Sequence, residues 1–174
     1  MLLFIAPPLL AQQAPRPFIG TYSVSATRDS NSTAYAAGDV VSGTTTTAFS
    51  FTADWTRGAI VGARMTVDTV VVTNGTFMLF LFKDTTGIGA LADNAAFSPT
   101  RAVEANIIAA IPLTLVATGT ASATAAYAQW PTAATDWRKY FSGTTRIYGV
   151  LTALAAYVPT YAGTIGLSIV IAPD

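Results

Sequence analysis

The feature that most constrains the fold of this chain is an alternation of apolar and polar residues with a period of two. The alternation occurs in four separate stretches, at residues 22–26, 49–55, 59–67 and 165–171. In an extended strand successive side chains point to opposite faces, so each stretch predicts a strand with one buried face. Strands of this kind are typical of antiparallel sheets that pack one face on a core.

The remaining pattern predicts an all-β fold with little helix. Shorter candidate strands lie at residues 39–42, 113–117, 124–130 and 146–157. The one helical signal, at residues 98–111, has a serine and a proline at its start and apolar residues at every fourth position, and predicts a short helix or turn. We therefore expect an antiparallel, jelly-roll-like β-sandwich of about eight strands over residues 20–174.

One candidate strand, at residues 76–83, is apolar on both of its faces. Phe77, Leu79 and Leu81 share one face, and Met78, Phe80 and Phe82 share the other. Two explanations are open for the second face: a loop of the same chain covers it, or it contacts another subunit. Met78, Phe80 and Phe82 are therefore a candidate subunit interface.

Residues 1–19 form a separate apolar segment, which we call the arm. Its prolines favour an extended path. A secretory signal fits poorly, because no basic residue precedes the apolar stretch and a proline pair interrupts it. The arm is predicted to pack either against a neighbouring subunit or along its own domain. The residues predicted to make these contacts are Leu2, Leu3, Phe4, Ile5, Pro7, Pro8, Leu9 and Leu10.

Composition excludes several classes of function. The chain has no His and no Cys, which removes Ser-His-Asp and Cys-His triads, zinc sites built on those residues and thiol redox chemistry. Nine basic and nine acidic residues balance, so neither a nucleic-acid groove nor a basic membrane-binding face is expected. Only 10% of residues are charged, against about 25–35% on surfaces that remain soluble alone. We expect other subunits to cover part of the surface.

No pattern points to an enzyme or to a cofactor. A glycosidase needs two carboxylates about 5–10 Å apart, and no motif singles out a pair among Asp54, Asp68, Asp84, Asp93, Glu104 and Asp136. The loop with Asp84 and Asp93 lacks the full spacing of a calcium loop. Four aromatic residues are candidates either for stacking on sugars or for packing in a core or interface: Tyr127, Trp130, Trp137 and Tyr140.

Three stretches resemble a group of tailed-bacteriophage virion proteins. The first is Tyr-Ala-Ala-Gly-Asp-Val-Val at residues 35–41. The second is Leu-Phe-Leu-Phe-Lys-Asp at 79–84, followed by Ala-Asp-Asn-Ala-Ala-Phe-Ser-Pro at 92–99. The third is Arg-Ile-Tyr-Gly-Val-Leu-Thr-Ala at 146–153, followed by Ala-Tyr-Val-Pro at 156–159.

This resemblance implies a capsid decoration, or cement, protein on the outer surface of a virion. Its expected partners are the major capsid protein and other copies of itself, as a homotrimer, and its role is structural and not enzymatic. It carries over no site residues, because the likeness lies in strands and turns. Other virion structural roles remain open, and so does a glycan-binding host-recognition module on a phage tail or fibre.

Overall fold

The computed structural model describes residues 19–28, 33–43, 47–67, 75–117, 126–130, 138–158 and 163–174. Ten β-strands lie in these ranges: β1 (Gly20–Thr27), β2 (Phe49–Thr52), β3 (Arg57–Val67), β4 (Thr76–Phe82), β5 (Ile107–Thr114), β6 (Val116–Ala117), β7 (Ala126–Trp130), β8 (Lys139–Ser142), β9 (Arg146–Ala153) and β10 (Thr164–Pro173).

The strands form two antiparallel sheets that pack face to face. One sheet has the order β1-β10-β3-β7-β6, with β8 also paired to β3, and the other has the order β2-β9-β4-β5. Apolar side chains from both sheets meet in one core between them. The alternation in β10 places Ile165, Leu167, Ile169 and Ile171 in this core, as the period-two pattern predicts.

The connectivity is that of a jelly roll. The first strand pairs with the last, β2 pairs with β9, β3 with β7, and β4 with β5, all antiparallel. These four nested pairs are joined side by side by the β10–β3 and β9–β4 pairings. A long folded hairpin wrapped into two sheets is the jelly-roll arrangement, so the predicted fold class is confirmed. The short strands β6 and β8 are additions to its eight strands.

The predicted helix at residues 98–111 is mostly wrong. A 3-10 helix of five residues, Arg101–Ala105, follows Thr100, and the chain then enters β5. Ile107 and Ile111 share helical spacing, but Ala109, Ile111 and Leu113 also alternate, and these three side chains enter the core. The pairing of β5 with β4 outweighs the weak helical signal because it buries this alternating face.

Residues 83–106 link β4 to β5 across the outer face of the four-stranded sheet; we call them the covering segment. Ile88, Leu91 and Val103 of this segment pack with Phe82 and Val150 in a second, smaller apolar cluster. Within the part of the chain that the structure describes, no helix has the length and apolarity needed to cross a membrane.

Candidate functional site

The outer face of the four-stranded sheet carries an apolar groove of about 560 Å³, which we call the outer groove. Its size is in the range of pockets that hold ligands, roughly 300–1,000 Å³. Side chains of β4, β5 and the covering segment line it, together with the turn after β9. The residues that matter for its chemistry are Phe80, Phe82, Phe97, Val103, Ile107 and Leu154.

The sequence of β4 explains the floor of the groove. Because Phe77, Leu79 and Leu81 enter the main core, the alternation sends Phe80 and Phe82 to the opposite face. The covering segment then returns along this face and places the ring of Phe97 with its centroid 5.4 Å from that of Phe80. The covering segment buries Phe82 and leaves Phe80 half-buried.

The outer groove carries no charge. Among the described residues that line it none is acidic or basic, and Thr152 alone has a polar side chain, which is buried. On the rim, Ile107 is 44% exposed and Leu154 is 45% exposed. The described lining is therefore mainly apolar.

The predicted subunit interface lies on this same face of β4. Phe82 is buried by the chain's own covering segment, whereas Phe80 and Met78 are half-buried. Met78 and Phe80 pair across the sheet with Pro112 and Ala110 of the edge strand β5, and both of these residues are exposed. A loop thus covers one part of the face, and an interface through Met78 and Phe80 stays a prediction.

The predicted arm contacts, from Leu2 to Leu10, lie outside the described residues. The same holds for Asp68, Asp136 and Trp137, and the side chain of Tyr127 is also not described.

A buried polar cluster fixes the covering segment to the rest of the sandwich. Arg28 and Asp93 have side chains only 3% and 7% exposed, and their nearest charged atoms are 3.7 Å apart. Arg28 Nε donates to the Tyr35 hydroxyl at 2.7 Å, and that hydroxyl donates to Asp93 Oδ1 at 2.7 Å. The backbone N–H of Ser42 also donates to Asp93. Sequence reasoning treated Asp93 as a loop carboxylate and missed this cluster.

The aromatic neighbours of this cluster are also packed inside the fold. The rings of Tyr35 and Tyr157 stack with centroids 6.0 Å apart, and Phe77 meets Tyr157 edge-on. Burial raises the pKa of the Tyr35 hydroxyl, and its hydrogen bond to Asp93 raises that pKa further. Burial also raises the pKa of Tyr157. The cluster is buried, so it connects segments of the fold and is not a site open to solvent.

Three other candidate carboxylates, Asp54, Asp84 and Glu104, each have a partner in the structure. Asp54 accepts a hydrogen bond from the Tyr22 hydroxyl, and Asp84 accepts bonds from the Thr86 backbone and the Asn106 side chain. Glu104 lies 3.9 Å from Arg101 on the surface. Among the described residues, no three His, Cys, Asp or Glu side chains converge as a metal site would require.

Two of the four candidate aromatic residues have described side chains, and they differ in position. Trp130 is buried in the main core and is not available for stacking on a sugar. Tyr140 is 63% exposed and lines a second pocket, of about 480 Å³, with Arg57, Lys83 and Ser142.

Comparison with models of known protein families and with curated proteins finds no match for this chain.

Proposed function

We propose that this protein is a non-enzymatic structural subunit of a virion, which decorates a phage capsid and stabilises it by binding across major capsid subunits. The observation that carries the proposal is the uncharged outer groove, whose rim residues Ile107 and Leu154 expose apolar surface to solvent. Exposed apolar surface of this kind marks sites of protein–protein contact. The proposal also rests on the resemblance to tailed-phage virion proteins.

The jelly roll supports this proposal at the level of fold. Viral capsid domains are among the proteins with this architecture, as are lectins and cupins. Cupin metal sites depend on histidine ligands, and this chain has no His. Because one fold serves several functions, the argument for decoration depends on the exposed apolar face.

In this proposal the stabilisation of the capsid is static. A subunit seated across the boundary between two capsid proteins adds buried apolar area that must be lost before the shell opens. An obligate interface can exceed about 2,000 Å², and a surface with few charges lowers the desolvation cost of burying such an area.

The experiment is co-expression with the major capsid protein encoded by the same genome, followed by sedimentation of the shells. The proposal predicts that the chain sediments with the shells and that decorated shells fail at a higher temperature than bare shells. A chain that stays in the supernatant at saturating concentration contradicts it.

A second candidate function is glycan recognition on a tail or fibre, and it rests on the exposed ring of Tyr140. An aromatic ring beside Arg57, Lys83, Ser142 and Asp174 offers stacking, charged and hydroxyl contacts to a sugar. Binding on a glycan array that Tyr140→Ala abolishes and Tyr140→Phe retains would favour this function.

A further inference from the structure

The outer groove and the arm have matching chemistry. The groove is lined by apolar side chains without a charge. The arm carries no charged side chain from Leu2 to Ala14, and its first ten residues are mostly aliphatic or proline. An uncharged groove selects for such a segment, because a charged side chain would lose its hydration there without gaining a partner.

The prolines of the arm reduce the cost of burying its backbone. A peptide segment that enters an apolar groove must leave some backbone N–H groups without water, and each unpaired donor costs free energy. Pro7 and Pro8 have no N–H group, so the centre of the segment Leu2–Leu10 presents two fewer donors. Their fixed φ angle also reduces the entropy that is lost when the segment becomes ordered.

We propose that the outer groove of one copy binds apolar side chains from the segment Leu2–Leu10 of a neighbouring copy. This inference rests on the proposed function and deepens it, because it names a second copy on the same shell as the protein neighbour that occupies the outer groove. The half-buried ring of Phe80 and the exposed side chains of Ile107 and Leu154 would receive the aliphatic side chains of the incoming segment.

The position of the arm favours a neighbour over the same copy. The chain enters β1 through Ile19, which is exposed, and β1 is the edge strand of the six-stranded sheet. The outer groove opens on the other sheet. Pro15 and Pro17 in the connection favour an extended path, which suits a segment that reaches a neighbouring copy.

Disulfide cross-linking tests this inference directly, because the chain has no native Cys. Leu9→Cys protein is mixed with Leu154→Cys protein, and the rate of disulfide formation between the two is measured without any capsid present. The control mixes Leu9→Cys with Ser23→Cys, since Ser23 is exposed on the outer face of the other sheet. Docking should make the first pair react at least about tenfold faster, because it raises the effective concentration of the thiol.

Equal rates for the two pairs would overturn the inference. A double variant with Leu9→Cys and Leu154→Cys that closes its disulfide within one chain at every dilution would also overturn it, because the arm would then dock on its own domain. Since no shell is present, the assay is separate from the proposed function. If cross-linking fails but the protein still binds shells, only the proposed docking of the arm is contradicted. If cross-linking succeeds but the protein does not bind shells, only the proposed capsid decoration is contradicted.

Discussion

The hydroxyl of Tyr35 donates a hydrogen bond of 2.7 Å to the carboxylate of Asp93, across 58 residues of sequence. Tyr35 precedes β2, whereas Asp93 lies in the covering segment between β4 and β5. The bond therefore joins the covering segment to the end of the sandwich where Arg28 leaves β1. The same covering segment contributes Phe97 and Val103 to the lining of the outer groove.

Asp93→Asn should lower the free energy of unfolding by about 3 kcal/mol, because the charge of Arg28 then lies buried without its ion-pair partner. Urea denaturation measures the loss. The matched control is Glu104→Gln, which removes an exposed ion pair and should change stability very little. Similar effects of the two substitutions would contradict the role given to Asp93.

Tyr35→Phe should cost about 1–3 kcal/mol, because Arg28 Nε and Asp93 Oδ1 both lose a buried hydrogen-bond partner while the ring stacking on Tyr157 remains. Thermal unfolding at neutral pH measures this cost. Tyr140→Phe serves as the control, because its hydroxyl is on an exposed side chain. A neutral effect of Tyr35→Phe would show that the cluster contributes little.

Stability should fall as pH rises above about 10, the ordinary tyrosine pKa. The pKa values of Tyr35 and Tyr157 are raised by burial, so between the unfolded and folded values the unfolded chain loses protons that the folded chain keeps. The stabilisation is complete below the unfolded pKa and is lost as pH approaches the folded pKa. Each tyrosine contributes a slope of about 1.4 kcal/mol per pH unit.

Urea denaturation at several alkaline pH values measures that slope, and Tyr35→Phe should remove one tyrosine's share of it. The charged and titratable groups around Tyr35 are Arg28, Asp93 and Tyr157. An unchanged slope in Tyr35→Phe would contradict the assignment.

Gly87 and Gly143 form a matched pair that separates backbone strain from crowding. Both have φ of 80°, a conformation that favours glycine. A Cβ at Gly143 would meet nothing within 4 Å, whereas at Gly87 it would lie 2.6 Å from the backbone nitrogen of Val103. Gly143→Ala should therefore cost only the strain of its φ angle, about 1–2 kcal/mol.

Gly87→Ala should lower the free energy of unfolding by about 1–3 kcal/mol more than Gly143→Ala. The added methyl group would push the backbone at Gly87 away from the backbone at Val103 within the covering segment. Urea denaturation gives the difference. Hydrogen exchange should locate the loss of protection at Thr100 N–H, which donates to the Gly87 carbonyl at 2.8 Å. Equal losses of unfolding free energy in the two variants would show that the backbone near Gly87 and Val103 adjusts without strain.

Leu154→Asp should weaken binding to shells by at least about tenfold, because it places a charge on the rim of the outer groove. Its control is Val116→Asp on β6 of the other sheet, where the native side chain is 56% exposed. Both variants should fold, since both sites face solvent. Equal loss of shell binding in the two variants would indicate a general effect of charge and would contradict a specific role for the groove.

The period-two pattern predicted the strands because burial of one face decides their conformation. In β10 the alternating apolar residues enter the core as expected, and so do Ala63, Met65 and Val67 of β3. Nearer the start of β3 the prediction is wrong, because a register shift against β10 places Ile60 in the core and leaves Val61 half-buried outside it. For the second apolar face of β4 the sequence leaves two explanations open, cover by a loop of the same chain or contact with another subunit. How much of this face a loop covers depends on the path of the covering segment. Contacts between distant residues, such as Tyr35 with Asp93, set that path, so no local pattern reveals it.

The candidate site was only partly visible in the sequence. Phe80 and Phe82 were identified from the alternation of β4, but Ile107, Phe97 and Leu154 complete the groove from other segments. The spacing of Ile107 from Ile111 fits a helical turn as well as a strand, so the local pattern predicts a helix there. The pairing of β5 with β4 decides between helix and strand. That pairing joins residues far apart in the sequence, so a short stretch of sequence does not reveal it.

Imaging of decorated shells tests the central claim most directly. The account predicts density for this chain on the outer surface of the capsid, spanning the boundary between two major capsid subunits, with the face of β4 and β5 turned toward a protein neighbour. Density only at the tail, or a face of β4 and β5 turned to solvent in every copy, would contradict it.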